Sequence, residues 1–256
     1  DLKLMIKWAA LTNQQVVQLL PVNDTTLDGS WRDSYPYNAN SIFALHPQYL
    51  SISSLPPIED KLLNKTLNEK RKRLNALQKI DYEAVIELKW EYIRELYNQE
   101  SRNILESVDY ITFYENNKDW LLPYSAYCYL REKYGNPDFR NWGEYSVYDE
   151  KKIELLTDKK QKWHDKINIH CFTQYLLHKQ LSEARDFAHS NNVILKGDIP
   201  IGISRTSVEA WKEPYLFNMD SQIGAPPDDF SATGQNWGFP AYNWERMAAE
   251  DYKWWK

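Results

Sequence analysis

Residues 193–240 decide the fold of this chain, and they read VILKGDIPIGISRTSVEAWKEPYLFNMDSQIGAPPDDFSATGQNWGFP. The stretch opens on a β-branched apolar run that Gly197 and Asp198 interrupt. Such a run, bounded by breakers, is typical of a buried parallel strand. Because Pro200 cannot donate a ladder hydrogen bond, we predict a strand over 193–199 that ends near Asp198. Ligands of α/β folds bind beyond the carboxyl ends of the strands, so Asp198 is a candidate binding residue.

A short helix and a long loop follow this strand. Ser207 is a candidate N-cap for a helix that runs through Trp211. Residues 224–238 show neither helical nor strand periodicity, and they are rich in Pro, Gly and small polar residues. The loop nevertheless carries Phe230 and Trp237. Because long ordered loops with aromatic side chains are usually functional, we predict that this loop contacts a ligand.

Two motifs in this stretch resemble the 4-α-glucanotransferases, the family of the amylomaltases and disproportionating enzymes. The first is Gly-Asp-Ile-Pro at 197–200, with Trp211 following, and the second is Pro-Pro-Asp-Asp-Phe-Ser-Ala-Thr-Gly-Gln-Asn-Trp-Gly at 226–238. The second motif is long and specific. Two departures stand out: Asp229 replaces the family's usual tyrosine, and Phe239 replaces its usual asparagine.

The first 57 residues are similar to the same family. Apolar spacing predicts a helix over 1–13, and the apolar run at 16–22 predicts a buried strand. The following loop contains Asp-Ser-Tyr-Pro-Tyr at 33–37, which resembles the family's Asp-Ser-Pro-Tyr motif with one extra tyrosine. The resemblance implies that Tyr37 lines a glucan groove. The alternative is a turn aromatic that only packs on its neighbours.

The middle of the chain is charged and helical. Helices are predicted within 58–99, over 120–134 and, as one or two long helices, over 149–190. The sequence predicts an α/β chain that is mostly helical by residue count. The resemblance implies that it is an incomplete TIM (β/α)8 barrel segment with a large helical insertion. The resemblance implies three parts: a barrel segment with a substrate loop at 1–57, a helical subdomain at 58–160, and a barrel segment with a long glucan-binding loop at 161–256.

Composition narrows the class of protein further. The net charge of −5 gives no reason to expect a nucleic-acid partner, and no apolar run is long enough to span a bilayer. The start of the chain carries no signal-peptide pattern. Cys128 and Cys171 lack metal-ligand spacing, so we predict free thiols in a reducing cytosol. The eleven Trp and eighteen Tyr suit a glucan binder, although most of these rings are expected in the core.

The histidines are predicted to be structural. His46 precedes a proline in an apolar setting. His164, His170 and His178 do not lie with carboxylates in a metal-binding order. The sequence therefore predicts no metal site.

Two carboxyl groups about 5–5.5 Å apart are needed to cleave a glycosidic bond with retention. From the residues alone, Asp198 with Asp228 or Asp33 is the candidate pair. The resemblance implies otherwise, because the family's nucleophilic aspartate lies in an Arg-Ile-Asp-His-like strand beyond the point where this sequence stops. The acid/base glutamate and a third aspartate lie further on. No Arg-x-Asp-His occurs in these 256 residues, so no catalytic residue is assigned.

The resemblance thus implies part of a 4-α-glucanotransferase that lacks the catalytic acids, needs no cofactor and is inactive by itself. The implied partners are an α-1,4-glucan or maltooligosaccharide and the remainder of the parent polypeptide, with a cytoplasmic location, no membrane and no nucleic acid. The alternative is a non-catalytic glucan-binding or structural module. The candidate substrate-contact residues are Tyr37, Asp198, Asp228, Phe230, Gln235 and Trp237.

Overall fold

The computed structural model describes residues 1–256, and helices dominate it. The helices are α1 (Leu2–Leu11), α2 (Lys61–Asn75), α3 (Tyr82–Leu105), α4 (Val108–Tyr134), α5 (Glu150–Thr157), α6 (His164–Ser190), α7 (Val208–Lys212) and α8 (Trp244–Ala249). The strands are β1 (Val16–Gln18), β2 (Ile194–Lys196), β3 (Phe217–Asn218), β4 (Gly224–Ala225), β5 (Gln235–Asn236) and β6 (Ala241–Tyr242). None of the helices is long and apolar enough to cross a membrane.

Strands β1 and β2 form a parallel pair, in which Val17 lies opposite Leu195. Helices α1 and α6 cover one face of the pair. Val17 is buried there in a small cluster with Ile6, Ala9, Ala188 and Val193. Side chains alternate along a strand, so the neighbours of Val17 point to the other face. That face is open: Val16 is 51% exposed and Ile194 is 59% exposed.

Both predicted strands exist but are shorter than expected. The strand predicted over 16–22 ends at Gln18, although the Leu19 amide still donates to the Lys196 carbonyl at 2.9 Å. The strand predicted over 193–199 covers only 194–196, since the Val193 amide still bonds to the Ala188 carbonyl of α6. Pro21 and Pro200 lack the N–H that would extend the ladder, and the chain turns away before each of them.

The observed helix bounds differ from the predicted ones mainly at ends that are set by a capping residue. The helical stretch predicted from residue 58 is broken at 76–81, because the Asp81 side chain caps a new helix, α3, by accepting from the Ala84 amide. Helix α4 begins at Val108 rather than at residue 120, since Ser107 caps it. It ends at Tyr134, and the C-cap Gly135 has a φ of +60°, in the left-handed region that favours glycine. The stretch 149–190 forms two helices, α5 and α6, and α1 is shorter than the predicted 1–13.

Two larger buried clusters hold the helices together. One gathers aromatic rings around Tyr127, Trp142 and Trp211, and the other lies around Ile93 and Phe172. Helices α4 and α6 contribute to both clusters, and α6 also packs on α1 and β2. Fewer than half of the aromatic side chains are buried, and several others are partly buried and pack against these clusters. Helix α6 contacts elements from each of the three predicted parts, so its packing does not separate them. The division at residues 57 and 160 stays a prediction.

Residues 217–242 form a hairpin-shaped projection, here called the arm. Strand β3 pairs antiparallel with β6 at its base, and β4 pairs antiparallel with β5 further out. The stretch 224–238, predicted to be a long loop, therefore contains the two short strands β4 and β5. Gly224 explains the pairing, since a Cβ there would lie 1.9 Å from the Gln235 carbonyl oxygen. Only glycine permits so close an approach.

Candidate functional site

Tyr37 and Asp198 meet at one edge of the parallel pair. Tyr37 lies in the loop after β1, and Asp198 lies two residues after β2. The Tyr37 hydroxyl donates to Asp198 Oδ2 at 2.9 Å, across 161 residues of chain. This hydrogen bond is the main reason why the pKa of Tyr37 is raised. Both side chains are half-buried, so each keeps a face toward solvent.

Backbone pairing fixes the Tyr37 loop against the segment that follows Asp198. Ala39 bridges Ile203 in parallel, and the Ser204 amide donates to the Ala39 carbonyl at 2.8 Å. One turn later, the Val208 amide donates to the Asn40 carbonyl at 2.9 Å. The two loops therefore leave β1 and β2 in contact with each other rather than diverging.

Glu209 reinforces the same junction with a buried carboxyl group. Its Oε1 accepts from the Ser41 hydroxyl and from the Ile42 amide, both at 3.0 Å. The side chain is buried, and Oε2 has no hydrogen-bond partner. Burial raises the pKa of this carboxyl to about 7. Glu209 lies in α7, whose N-cap is Ser207, as predicted from the sequence.

Asp33 is not available as a partner carboxylate for Asp198. It is 3% exposed, and its Oδ2 accepts from the Gly29 amide at 2.7 Å and from the Asp28 amide at 3.2 Å. Burial raises the pKa of the Asp33 carboxyl. The side chain therefore holds its own loop together, and its pairing with Asp198 as a catalytic carboxylate is not observed.

The other predicted residues all lie on the arm. Asp228 closes the turn at the tip, where its Oδ1 accepts from the Phe230 amide at 2.9 Å and the Ser231 amide at 2.7 Å. This geometry leaves the Phe230 ring 96% exposed. On the returning strand, the Trp237 indole donates to Gln235 Oε1 at 3.0 Å, which orients the two side chains together. No hydrogen bond joins these four residues to Tyr37 or Asp198.

Three contacts dock the base of the arm on the segment after Asp198. The Phe239 ring packs on Gly202, and the Tyr242 hydroxyl donates to the Ile201 carbonyl at 3.2 Å. The Arg205 guanidinium donates to three backbone carbonyls of the arm. Sequence reasoning missed both Arg205 and Glu209. The only sequence signal of Glu209 is an ionisable residue among apolar neighbours, and Arg205 lies among polar residues, so neither pattern reveals the contact.

The histidines have structural environments. His46 is buried, with Nδ1 accepting from the Gln48 amide at 3.1 Å and Nε2 bonded to the Tyr82 hydroxyl at 2.9 Å. Burial lowers its pKa, so the ring is neutral. Burial also lowers the pKa of His170 to about 3. The chain contains no group of three or more His, Cys, Asp or Glu side chains arranged to hold a metal ion.

Comparison with known proteins identifies the family of this chain. The sequence model of glycoside hydrolase family 77, described as 4-alpha-glucanotransferase, matches residues 1–256. The chain therefore belongs to that family. It is 42% identical to the 4-alpha-glucanotransferase DPE2 of Oryza sativa subsp. japonica over 256 residues, which is 100% of this chain and 27% of the relative. It is 35% identical to the 4-alpha-glucanotransferase of Chlamydia pneumoniae over 263 residues, which is 100% of this chain and 47% of the relative.

Solved structures show the same fold. The amylomaltase from Streptococcus agalactiae in complex with acarbose superposes with a TM-score of 0.78 at 24% identity, over 99% of this chain and 51% of that one. The amylomaltase from Corynebacterium glutamicum superposes with a TM-score of 0.73 at 18% identity, over 98% of this chain and 35% of that one. The chain thus spans at most about half the length of these relatives and structures.

Proposed function

We propose that this chain is part of a 4-α-glucanotransferase that moves α-1,4-glucan segments between maltooligosaccharides or glucans with retention of configuration. In a retaining mechanism, one carboxylate attacks the anomeric carbon to form a glycosyl-enzyme, while a second carboxyl group protonates the leaving oxygen. A sugar hydroxyl of the acceptor then attacks the glycosyl-enzyme. Residues 1–256 supply one wall of the groove that binds the glucan.

The observation that carries this proposal is the hydrogen bond between Tyr37 and Asp198. The arm docks on the segment after Asp198 and carries the exposed Phe230 ring and the half-buried Trp237 ring. Carbohydrates present hydroxyl groups at their rims and apolar C–H faces between them. A binding site for them combines oriented polar groups with exposed aromatic faces. Tyr37 and Asp198 offer the polar groups, and Phe230 and Trp237 offer the rings.

The carboxylates of the chain fit substrate contact better than covalent chemistry. Asp198 is bonded to Tyr37, Asp228 holds the tip of the arm, and Asp33 is buried within its loop. No hydrogen bond joins any of these three carboxyl groups to another carboxyl group. We therefore place the nucleophile and the acid/base outside residues 1–256, in the remainder of the parent polypeptide.

The parallel pair β1–β2 is proposed as two strands of a (β/α)8 barrel. Helices cover one face of the pair, while Val16 and Ile194 point from the other face into solvent. In a closed barrel that second face is filled by side chains from further strands. The assignment of 1–57 and 161–256 to the barrel, and of 58–160 to a helical subdomain, belongs to this proposal. So does a cytoplasmic location, which the two buried, unpaired cysteines support.

The test is the kinetics of Trp237→Ala in the complete polypeptide, with maltotriose as donor and acceptor. Losing one sugar–aromatic stack should lower kcat/KM by about 2- to 13-fold, by analogy with the ~0.5–1.5 kcal/mol of aromatic pairs. Trp237→Phe is the matched control, because it keeps an aromatic face and should retain most of the activity. An unchanged kcat/KM in Trp237→Ala would remove the arm from the groove.

A further inference from the structure

We propose that Arg205 is a positioning residue that fixes the orientation of the arm, residues 217–242, relative to Asp198. The inference deepens the proposed glucan site and rests on it. Arg205 touches no candidate substrate-contact side chain. It acts through the backbone of the arm.

All three nitrogens of the Arg205 guanidinium donate to main-chain carbonyls of the arm. Nε donates to Gly238 at 2.9 Å and Nη2 donates to Ser221 at 2.5 Å, while Nη1 donates to Met219. Met219 and Ser221 lie on the outgoing side of the arm and Gly238 lies on the returning side. One planar group therefore ties both sides of the arm together and to the segment that carries Asp198.

The rigid geometry of the guanidinium matters here. Its N–H groups point in fixed directions in one plane, so three accepting carbonyls fix the arm in direction as well as distance. Hydrogen bonds from a charged donor are also roughly twice as strong as neutral ones. Arg205 forms no ion pair with a carboxylate, so these carbonyls are its hydrogen-bond partners.

The backbone of Arg205 is itself held from both sides. The preceding residue, Ser204, donates its amide to the Ala39 carbonyl at 2.8 Å, two residues beyond Tyr37. The following residue, Thr206, accepts at its carbonyl from the buried Tyr127 hydroxyl on α4. Arg205 thus stands on an anchored segment between the Tyr37 loop and the arm. No hydrogen bond joins Tyr37 or Asp198 to the arm directly. The Tyr242 hydroxyl and the Arg205 guanidinium link the arm to the segment after Asp198, and Arg205 is the charged group of the two.

Three variants of the complete polypeptide test this role: Arg205→Met, Arg205→Lys and, as a matched control, Arg140→Met. Arg140 is a surface arginine whose hydrogen bonds go to Asp138 and not to the arm. Hydrogen exchange should accelerate within residues 217–242 in Arg205→Met and should be unchanged in the control. The KM for maltotriose should rise about tenfold, with kcat changed less, which is the effect of losing a charged hydrogen bond that aligns a binding surface. Arg205→Lys should fall between the parent and Arg205→Met, because an ammonium group cannot reach all three carbonyls in one plane.

A chemical rescue separates positioning from general stability. Millimolar guanidinium should lower the KM of Arg205→Ala toward the parent value and leave Arg140→Ala unaffected. Unchanged exchange in the arm of Arg205→Met, or faster exchange with an unchanged KM, would overturn the inference. Absence of glucan transfer by the parent polypeptide would refute the proposed function instead. The hydrogen-exchange measurement would still show whether Arg205 holds the arm in place.

Discussion

Glu209 joins the two loops of the site through a carboxyl group whose pKa is raised by burial. Its pKa is about 7, against an ordinary value of 4.5. The protonated form lets Oε1 accept from Ser41 and Ile42 without leaving a charge in an apolar surrounding. Above its pKa, the same group becomes a buried anion with one unpartnered oxygen.

This carboxyl predicts a specific pH dependence of stability. Between about pH 4.5 and 7 the folded chain holds a proton on Glu209 that the unfolded chain has lost, so the contribution of Glu209 to stability falls as the pH rises. Over this pH range the free energy of unfolding should fall by about 3 kcal/mol at most through Glu209. Glu209→Gln stays neutral, so its stability relative to the parent should increase from pH 5 to pH 8. Urea unfolding of both proteins across this range measures it, and a difference that does not vary with pH would contradict the account.

The arm is the element on which the proposed groove depends, and its base is packed against a glycine. A Cβ on Gly202 would lie 2.8 Å from three atoms of the Phe239 side chain. Gly202 is buried, so the ring cannot move away without moving the arm. The position of the Phe239 ring therefore depends on the absence of a side chain at 202.

Gly202→Ala should displace the base of the arm and destabilise the protein by about 1–3 kcal/mol, as overpacking does in a buried site. The same substitution should cost much less in a Phe239→Ala background, since the clashing ring is gone. Thermal unfolding of the two single variants and the double variant completes the cycle. If Gly202→Ala lowers the stability equally in both backgrounds, the Phe239 ring is not the reason why a side chain at 202 is destabilising.

The sequence predicted the elements of the site better than their arrangement. Tyr37 and Asp198 each follow an apolar strand, and parallel strands bring their carboxyl ends to one edge, so their proximity follows from the pattern. The hairpin shape of the arm could not be predicted from the sequence, because two-residue strands leave no periodicity. Their pairing depends on a single close approach at Gly224. Arg205 binds only carbonyls, which every residue carries, so no sequence pattern could identify its partners.

At the scale of the whole molecule, the chain has well-packed helices around an open pair of strands. The aromatic core around Trp142 and Trp211 is buried, while apolar residues next to the strands, such as Ile199 and Leu20, are 70% and 59% exposed. A two-stranded sheet with one bare apolar face is a poor independent unit. This supports the proposal that further strands complete the fold and bring the catalytic carboxyl groups to the groove.

The central claim is that residues 1–256 contact the glucan and do not perform the covalent chemistry. The most direct test is to incubate the purified 256-residue chain with maltotriose and to look for glucose and longer oligosaccharides, with the complete polypeptide as the positive control. The account predicts products from the complete polypeptide and none from the chain alone, because a glycosyl-enzyme cannot form without a free carboxylate pair. Disproportionation by the chain alone that disappears in Asp198→Asn or Asp228→Asn would contradict the account and make those residues catalytic.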